Sequence, residues 1–354
     1  MVNNLENLEL LGLEASNDAR LESFSIANRR YLGSKSKLLD QIERVIITCL
    51  GRAPKILMDP FSGSGVVAGR FAELGSEVIA SDLLKHNTDA IDTFLNHKSF
   101  SQSEAEFHIF EMSKLAPLEG YVSKFFGDKY FSKHNAMVID AAREYIADKI
   151  ENESLAKAAL TSLVYAADKV AQTVGHYDAF FTKAKIDKPL AFRVPIPMGS
   201  GSGHLVLNMD ANEVVGNHSS EVLYLDPPYN SRQYGDAYHV LENISRWEKP
   251  EVFGVAQKMD RTAMKSRYST RSAITAFREL IQTADTRLIV LSYSNTGLSR
   301  DARSNNVLVD EDIVEVLSSK GKLTIHNIDF KEFSVGRTSS RDHQERLFVC
   351  EVGK

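Results

Sequence analysis

The chain has 354 residues, 43% of them hydrophobic and 25% charged, with a formal net charge of −5. That composition is ordinary for a globular protein of one large domain plus an insertion, and no apolar run reaches the roughly 20 residues that span a bilayer. The two cysteines, Cys49 and Cys350, lack metal-type spacing, which excludes a disulfide scaffold and a cysteine zinc site and fits a reducing compartment such as the cytoplasm.

Residues 1–25, acidic and rich in asparagine as far as Ala15, read as a loosely ordered leader without the pattern of a secretory signal. Leu38, Leu39, Ile42, Val45 and Ile46 recur at helical spacing and predict a helix over 36–49 behind a serine cap. Ile56-Leu57-Met58 is a short buried strand ending at Asp59. The loop Pro60-Phe61-Ser62-Gly63-Ser64-Gly65 then leads into a helix over about 66–74, and Val78-Ile79-Ala80 is the next strand, ending at Ser81-Asp82. A helix follows to about Asn96, completing a βαβ opening.

From about Phe100 the alternation lapses into helical segments near 134–150 and 153–174, closed by a Pro/Gly-rich stretch at 195–203. Residues 100–203 therefore read as a mainly helical insertion carrying substrate contacts, set between the two parts of an α/β domain at 26–99 and 204–354. Strands resume at 205–207, 222–225 and 288–291, and the β-rich runs 322–328 and 347–352 predict a closing antiparallel pair.

The run Val222-Leu223-Tyr224-Leu225 reads as a buried parallel strand. It delivers Asp226-Pro227-Pro228-Tyr229 to the carboxyl end of the sheet, where open α/β folds place ligands. The two prolines stiffen the turn and remove two backbone donors, leaving carbonyls that only accept. Tyr229 adds a flat aromatic face. An acid, a fixed carbonyl and a ring suit a planar amine held by two acceptors and stacked on one side, which describes the exocyclic amine of a nucleobase.

In the first half, glycines 63 and 65 allow close backbone approach to a ligand ahead of a helix N-terminus, and Asp82 is placed to accept from ribose hydroxyls. A dehydrogenase is the rival reading. Gly63, Gly65 and Gly69 imitate a dinucleotide turn, and Tyr165 and Lys169 have YxxxK spacing, yet 226–229 would then have no use. The chain has no P-loop lysine motif, and His176, His239 and His343 are scattered without ligand spacing, so no metal site is expected.

Together these stretches resemble the adenine-specific (N6) DNA methyltransferases that place the cofactor motif before the catalytic one, the group containing the bacterial DNA adenine methylases. Residues 30–39, Arg-Tyr-Leu-Gly-Ser-Lys-Ser-Lys-Leu-Leu, look like the family's N-terminal cofactor motif, 59–65 like its FxGxG motif, Ser81-Asp82 like its ribose ligand and 226–229 like its catalytic motif; Asn208-Met209-Asp210 is a weaker match. The resemblance runs from about 28 to 297 and is poor at 100–205, where such enzymes place target recognition.

It implies a Rossmann-like methyltransferase sheet using S-adenosylmethionine. Asp59, Phe61, Gly63 and Gly65 would face the cofactor, Asp82 its ribose, Asp210 its adenine, and Tyr31, Gly33 and Lys37 its methionine end. Asp226, Pro227 and Tyr229 would be catalytic, acting on an adenine flipped from duplex DNA. A companion restriction enzyme is the expected partner of such a methylase, and no membrane is. Cytosine-N4 methylation is the runner-up, since that amine has the same chemistry, and RNA methylation stands behind it.

Asn230, Arg232, Gln233 and Tyr234 follow the motif as candidates for the pocket rim. Eight basic residues lie at 246–278, among them Lys265, Arg267 and Arg271, and with Arg232 they are expected to track DNA phosphates. Arg337, Arg341, His343 and Arg346 form a second basic cluster.

Overall fold

The computed structural model describes residues 21–182, 188–294, 308–329 and 344–353. Its strands, in chain order, are β1 (Ser23–Phe24), β2 (Ile56–Asp59), β3 (Glu77–Ser81), β4 (Val194–Pro195), β5 (Leu205–Leu207), β6 (Ser219–Leu225), β7 (Asp285–Ser294), β8 (Gly321–Asp329) and β9 (Gln344–Val352). Seven of them form one sheet in the order β5-β3-β2-β6-β7-β9-β8. The first five run parallel, whereas β9 is antiparallel to both β7 and β8, as the closing pair was expected to be. This is the α/β sheet of the S-adenosylmethionine-dependent methyltransferases. The strand order reverses between β2 and β6, and a crevice opens there because the crossovers on either side lead away from it.

Side chains alternate along each strand, so each strand contributes to both faces. Leu57, Val78, Ala80, Val222, Tyr224, Leu288 and Val290 pack with α1 (Leu39–Leu50), α2 (Val66–Glu73) and α3 (Lys85–Leu95). Their neighbours Met58, Ile79, Leu223, Leu225, Ile289 and Leu291 take the opposite face. Both faces are apolar, which is why the central strands read as continuous hydrophobic runs.

The helical segment holds α4 (Gln102–Ser113), α5 (Tyr121–Phe125), α6 (Lys133–Lys149) and α7 (Glu153–Val170). Of these, the sequence pattern yields α6 and α7 only. The segment is tied to the sheet by α7, which lies on α3: Lys157 pairs with Asp92 at 2.9 Å, and the Thr93 and Thr161 hydroxyls are 3.0 Å apart. Tyr165 is buried against Phe24 and Phe94 and donates to the Ile26 carbonyl, whereas Lys169 is exposed, so the YxxxK spacing pairs a core residue with a surface one. Residues 1–20 of the expected leader lie outside the described residues. Within 21–25, however, β1 pairs in parallel with β4 and Phe24 is buried, so the fold begins before residue 26.

The opposite face is covered by α8 (Ala211–Asn217), then, beyond α9 (Tyr234–Ala237) and α10 (His239–Arg246), by α11 (Ala273–Thr283) and α12 (Asp310–Ser318). The helix α10 itself joins the core of the helical segment through Val240, Leu241 and Ile244. Its buried Glu242 accepts from the Lys85 and His86 backbone N–H groups at the start of α3 and from His86 Nδ1 at 2.7 Å. A carboxylate at a helix N-terminus is favourable, and this one fixes the segment after residue 229 to the first half of the sheet. Although burial opposes its charge, the hydrogen bond from His86 leads the partners that hold Glu242 down to about 2.

Candidate active site

The crevice between β2 and β6 is a cavity lined by residues from both halves of the chain. Its walls include Tyr31, Gly33, Lys35, Asp59, Phe61, Gly63, Asp82, Asp210, Asp226, Pro228 and Tyr234. Seven of the nine expected cofactor residues are therefore together; Lys37 and Gly65 are outside the lining. A second hollow adjoins it, lined by Asp226, Pro227, Tyr229, Asn230 and Arg232. Leu32, Gly33, Lys35, Asp226 and Tyr234 border both, so the two spaces meet at Asp226 and Lys35.

The glycine loop is held by its neighbours. Ser62 Oγ donates to the Asp59 carbonyl and accepts from Ser81 N–H, and Gly63 N–H donates to Asp82 at 3.0 Å. A Cβ on Gly63, which sits at φ +51, would lie 2.7 Å from the Tyr31 ring that forms the cavity wall. Gly65, at φ +78, has a different reason to be glycine. Its Cβ would meet Ile91 and Ile26 at 2.5 and 2.8 Å, so the absence of a side chain here lets the loop pack closely onto α3.

Asp82 accepts from Gly63 N–H, Leu84 N–H and the Asn87 amide, yet burial still raises its carboxyl to about 6. Tyr31 stacks on Tyr238 with ring centroids 4.9 Å apart, and its hydroxyl accepts from Asn87. Asp210 caps α8 by accepting from Asn212 N–H. Asp59 is 1% exposed, and its Oδ1 is buried without a hydrogen-bond partner among the described residues. Burial and the nearby Asp226 charge push its carboxyl well above the usual range. Among the described residues four acids and one lysine line this cavity, which fits a ligand with positive charge and hydroxyl groups.

The lysine is Lys35, which sequence reasoning missed. The residues before α1 form turns, turning Lys35 inward and leaving Lys37 exposed. Lys35 Nζ lies 2.8 Å from Asp226 Oδ1, 3.1 Å from the Gly33 carbonyl and 3.4 Å from Glu345 Oε1, and stands over the Tyr229 ring at 4.7 Å. Burial opposes its charge, but Asp226 and Glu345 more than offset that and hold it above its usual value. Asp226 is raised by burial and pulled back by Lys35. Its Oδ1 also accepts from the Tyr229 hydroxyl at 2.9 Å, whereas Oδ2 accepts no hydrogen bond from the described residues. The Tyr229 ring meets Tyr293 edge to face at 4.9 Å.

The basic stretch is more neutralised than its composition suggests. Arg246 pairs with Glu242, Lys249 with Glu144, Lys258 and Arg261 with Asp236, Arg267 with Glu279 and Arg278 with Glu315. Lys265 and Arg271 are exposed and make no ion pair among the described residues. Arg232 is exposed with Nε 3.7 Å from Asp178. Arg337, Arg341 and His343 of the second cluster lie outside the described residues, and Arg346 is paired with Asp310.

A methyltransferase sheet with an acid-rich crevice and Asp-Pro-Pro-Tyr at its switch point defines an enzyme that methylates an amine. The model of the D12 class N6 adenine-specific DNA methyltransferases matches residues 31–298, and the chain belongs to that family. It is 30% identical over 329 residues to the type II methyltransferase M.NlaIII of Neisseria lactamica, covering 89% of this chain and 95% of that protein. It is similar to M.CviAII of Paramecium bursaria Chlorella virus 1, 29% identical and covering 98% of it. M.FokI of Planomicrobium okeanokoites is 31% identical, but the chain spans only 47% of its length and 82% of its own. Among the described residues no helix is long and apolar enough to cross a membrane.

Proposed function

We propose that this DNA adenine-N6 methyltransferase binds S-adenosylmethionine in the acid-lined cavity and accepts an adenine, flipped from duplex DNA, in the adjoining hollow. The observation that carries this reading is the meeting of the two spaces at Asp226 and Lys35. Asp59 would hold a positive group, Asp82 a pair of ribose hydroxyls and Asp210 an adenine amine. When bound, S-adenosylmethionine supplies a methyl group on a sulfonium, a good leaving group.

The adenine amine is a poor nucleophile because its lone pair is delocalised into the ring. Asp226 Oδ2 and the Pro227 carbonyl would each accept one amine hydrogen and favour a pyramidal nitrogen. Asp226 then takes the proton that becomes acidic as the new bond forms. Tyr229 would stack on the extruded ring, a contact worth ~1–3 kcal/mol. Positioning and fixed charges supply the acceleration.

Nucleoside analysis of DNA from a methylation-free host expressing the chain is the direct test. N6-methyladenine is expected; N4-methylcytosine alone would overturn the base assignment. The similarity to type II methylases supports a place beside a companion restriction enzyme, which mapping of methylated sites in the native host would check.

Lys265 and Arg271 are the cations of the stretch best placed to meet phosphate. Neutralising both is expected to make the slope of log affinity against log salt shallower by about two units, with cofactor affinity unchanged. An unchanged slope would return this surface to plain solvation.

A further inference from the structure

Glu345 belongs to none of the sequence motifs, yet its carboxylate is at the centre of the site. It is the second residue of β9, opposite Ser294 on β7 and Ile328 on β8. Because β9 runs against the parallel strands, its first residues lie at their carboxyl edge, beside the crevice. Glu345 Oε1 accepts from Tyr229 at 2.5 Å and from Ser292 Oγ at 3.0 Å, and lies 3.4 Å from Lys35 Nζ.

The Tyr229 hydroxyl has one hydrogen and two carboxylates in reach, and Glu345 is nearer than Asp226 by 2.5 against 2.9 Å. Lys35 is likewise shared. Both donors already reach Asp226 Oδ1; were Glu345 absent, neither would be shared, and their full demand would fall on the acid that must accept from the substrate amine. The Tyr229 hydroxyl would keep Asp226 as its one carboxylate partner among the described residues, and the ring would be held by its packing on Tyr293 and Lys35. We propose that Glu345 is a positioning residue for methyl transfer: by taking the Tyr229 hydrogen and sharing Lys35, it keeps Asp226 open as an acceptor and sets the plane of the stacking ring. This rests on the transfer reading above.

The test uses the full chain, S-adenosylmethionine and a duplex carrying the chain's own mapped site. Glu345→Gln can still accept from Tyr229 but cannot balance Lys35; it is expected to lower kcat about tenfold, and Glu345→Ala about a hundredfold. KM for S-adenosylmethionine should move by no more than about threefold in either, the mark of a lost transition-state contribution. Tyr229→Phe probes the coupling. If Glu345 acts through that hydroxyl, Glu345→Ala with Tyr229→Phe should be little worse than the poorer single variant.

Wild-type kcat in both Glu345 variants would overturn the proposal, as would losses that simply multiply in the double variant. So would a fall in kcat that follows a fall in melting temperature and a rise in KM, since that describes a strand-packing role. A wild-type chain that transfers no methyl group to DNA would overturn the transfer reading itself, which separates the two failures.

Discussion

Replacing Asp226 with alanine is expected to abolish methyl transfer, lowering kcat by about 1000-fold or more, while S-adenosylmethionine still binds. The reason is local. Asp226 is the one acid that borders both hollows, and its Oδ2 is the acceptor left open among the described residues. Losing a single preorganised charge-stabilising group costs about 100- to 1000-fold, and in the proposed reaction Asp226 also takes the proton. Cofactor affinity is expected to fall by less than about tenfold, or 1.4 kcal/mol. The fall would come from Lys35, which would face the cavity with less of its charge balanced. Single-turnover transfer measured beside calorimetric titration separates the two effects. Normal turnover would remove Asp226 from the mechanism.

Replacing Lys35 with methionine is expected to be the most damaging change to the fold among the site residues, and to move the pH dependence of what activity remains. Lys35 is the cation among Asp226, Glu345 and Asp59, and removing one partner of a buried ion pair costs about 3–5 kcal/mol. The groups facing Asp226 are Lys35, Tyr229, Glu345, Asp59, Tyr224 and Tyr234. Of these, Lys35 is the one whose charge favours the ionised form, so its loss raises the Asp226 pKa. A carboxyl with a raised pKa is protonated over a wider acidic range and accepts only above it. The acidic limb of kcat should therefore shift to higher pH, with activity recovering as pH is raised. Lys35→Arg keeps the charge and should keep the limb near its original place. Chemical denaturation and a pH–rate profile together check both parts, and an unmoved acidic limb in Lys35→Met would sink the electrostatic argument.

Much of this was legible in the sequence, because the central strands are buried on both faces and end in chemistry. The runs ending at Asp59, Asp82 and Asp226 each give a strand and a cavity-lining acid in one reading. The closing antiparallel pair was equally plain from its β-rich composition. What was missed depends on direction rather than pattern. Lys35 and Lys37 are two residues apart in the same motif, and only the turn before α1 decides which one faces the acids. The close packing of Ile26 and Ile91 around Gly65 was likewise not legible, because those contacts come from other parts of the chain. Glu345 lies 116 residues from its partner Tyr229 and gave no local signal. The neutralisation of much of the basic stretch was not legible in its composition, since acids that pair with it come from elsewhere, among them Glu144, Asp178 and Glu315.

The strand order also has a consequence for how the enzyme comes into being. On the ribosome, β8 emerges before β9, yet among the described strands its neighbour in the sheet is β9. In chain order, therefore, the five parallel strands and β8 all precede the strand that joins β8 to them. The strand 344–352 fills the gap between β7 and β8 and brings Glu345 to Tyr229. A chain cut short before residue 344 is therefore expected to lack both the strand that closes the sheet and the carboxylate beside Tyr229.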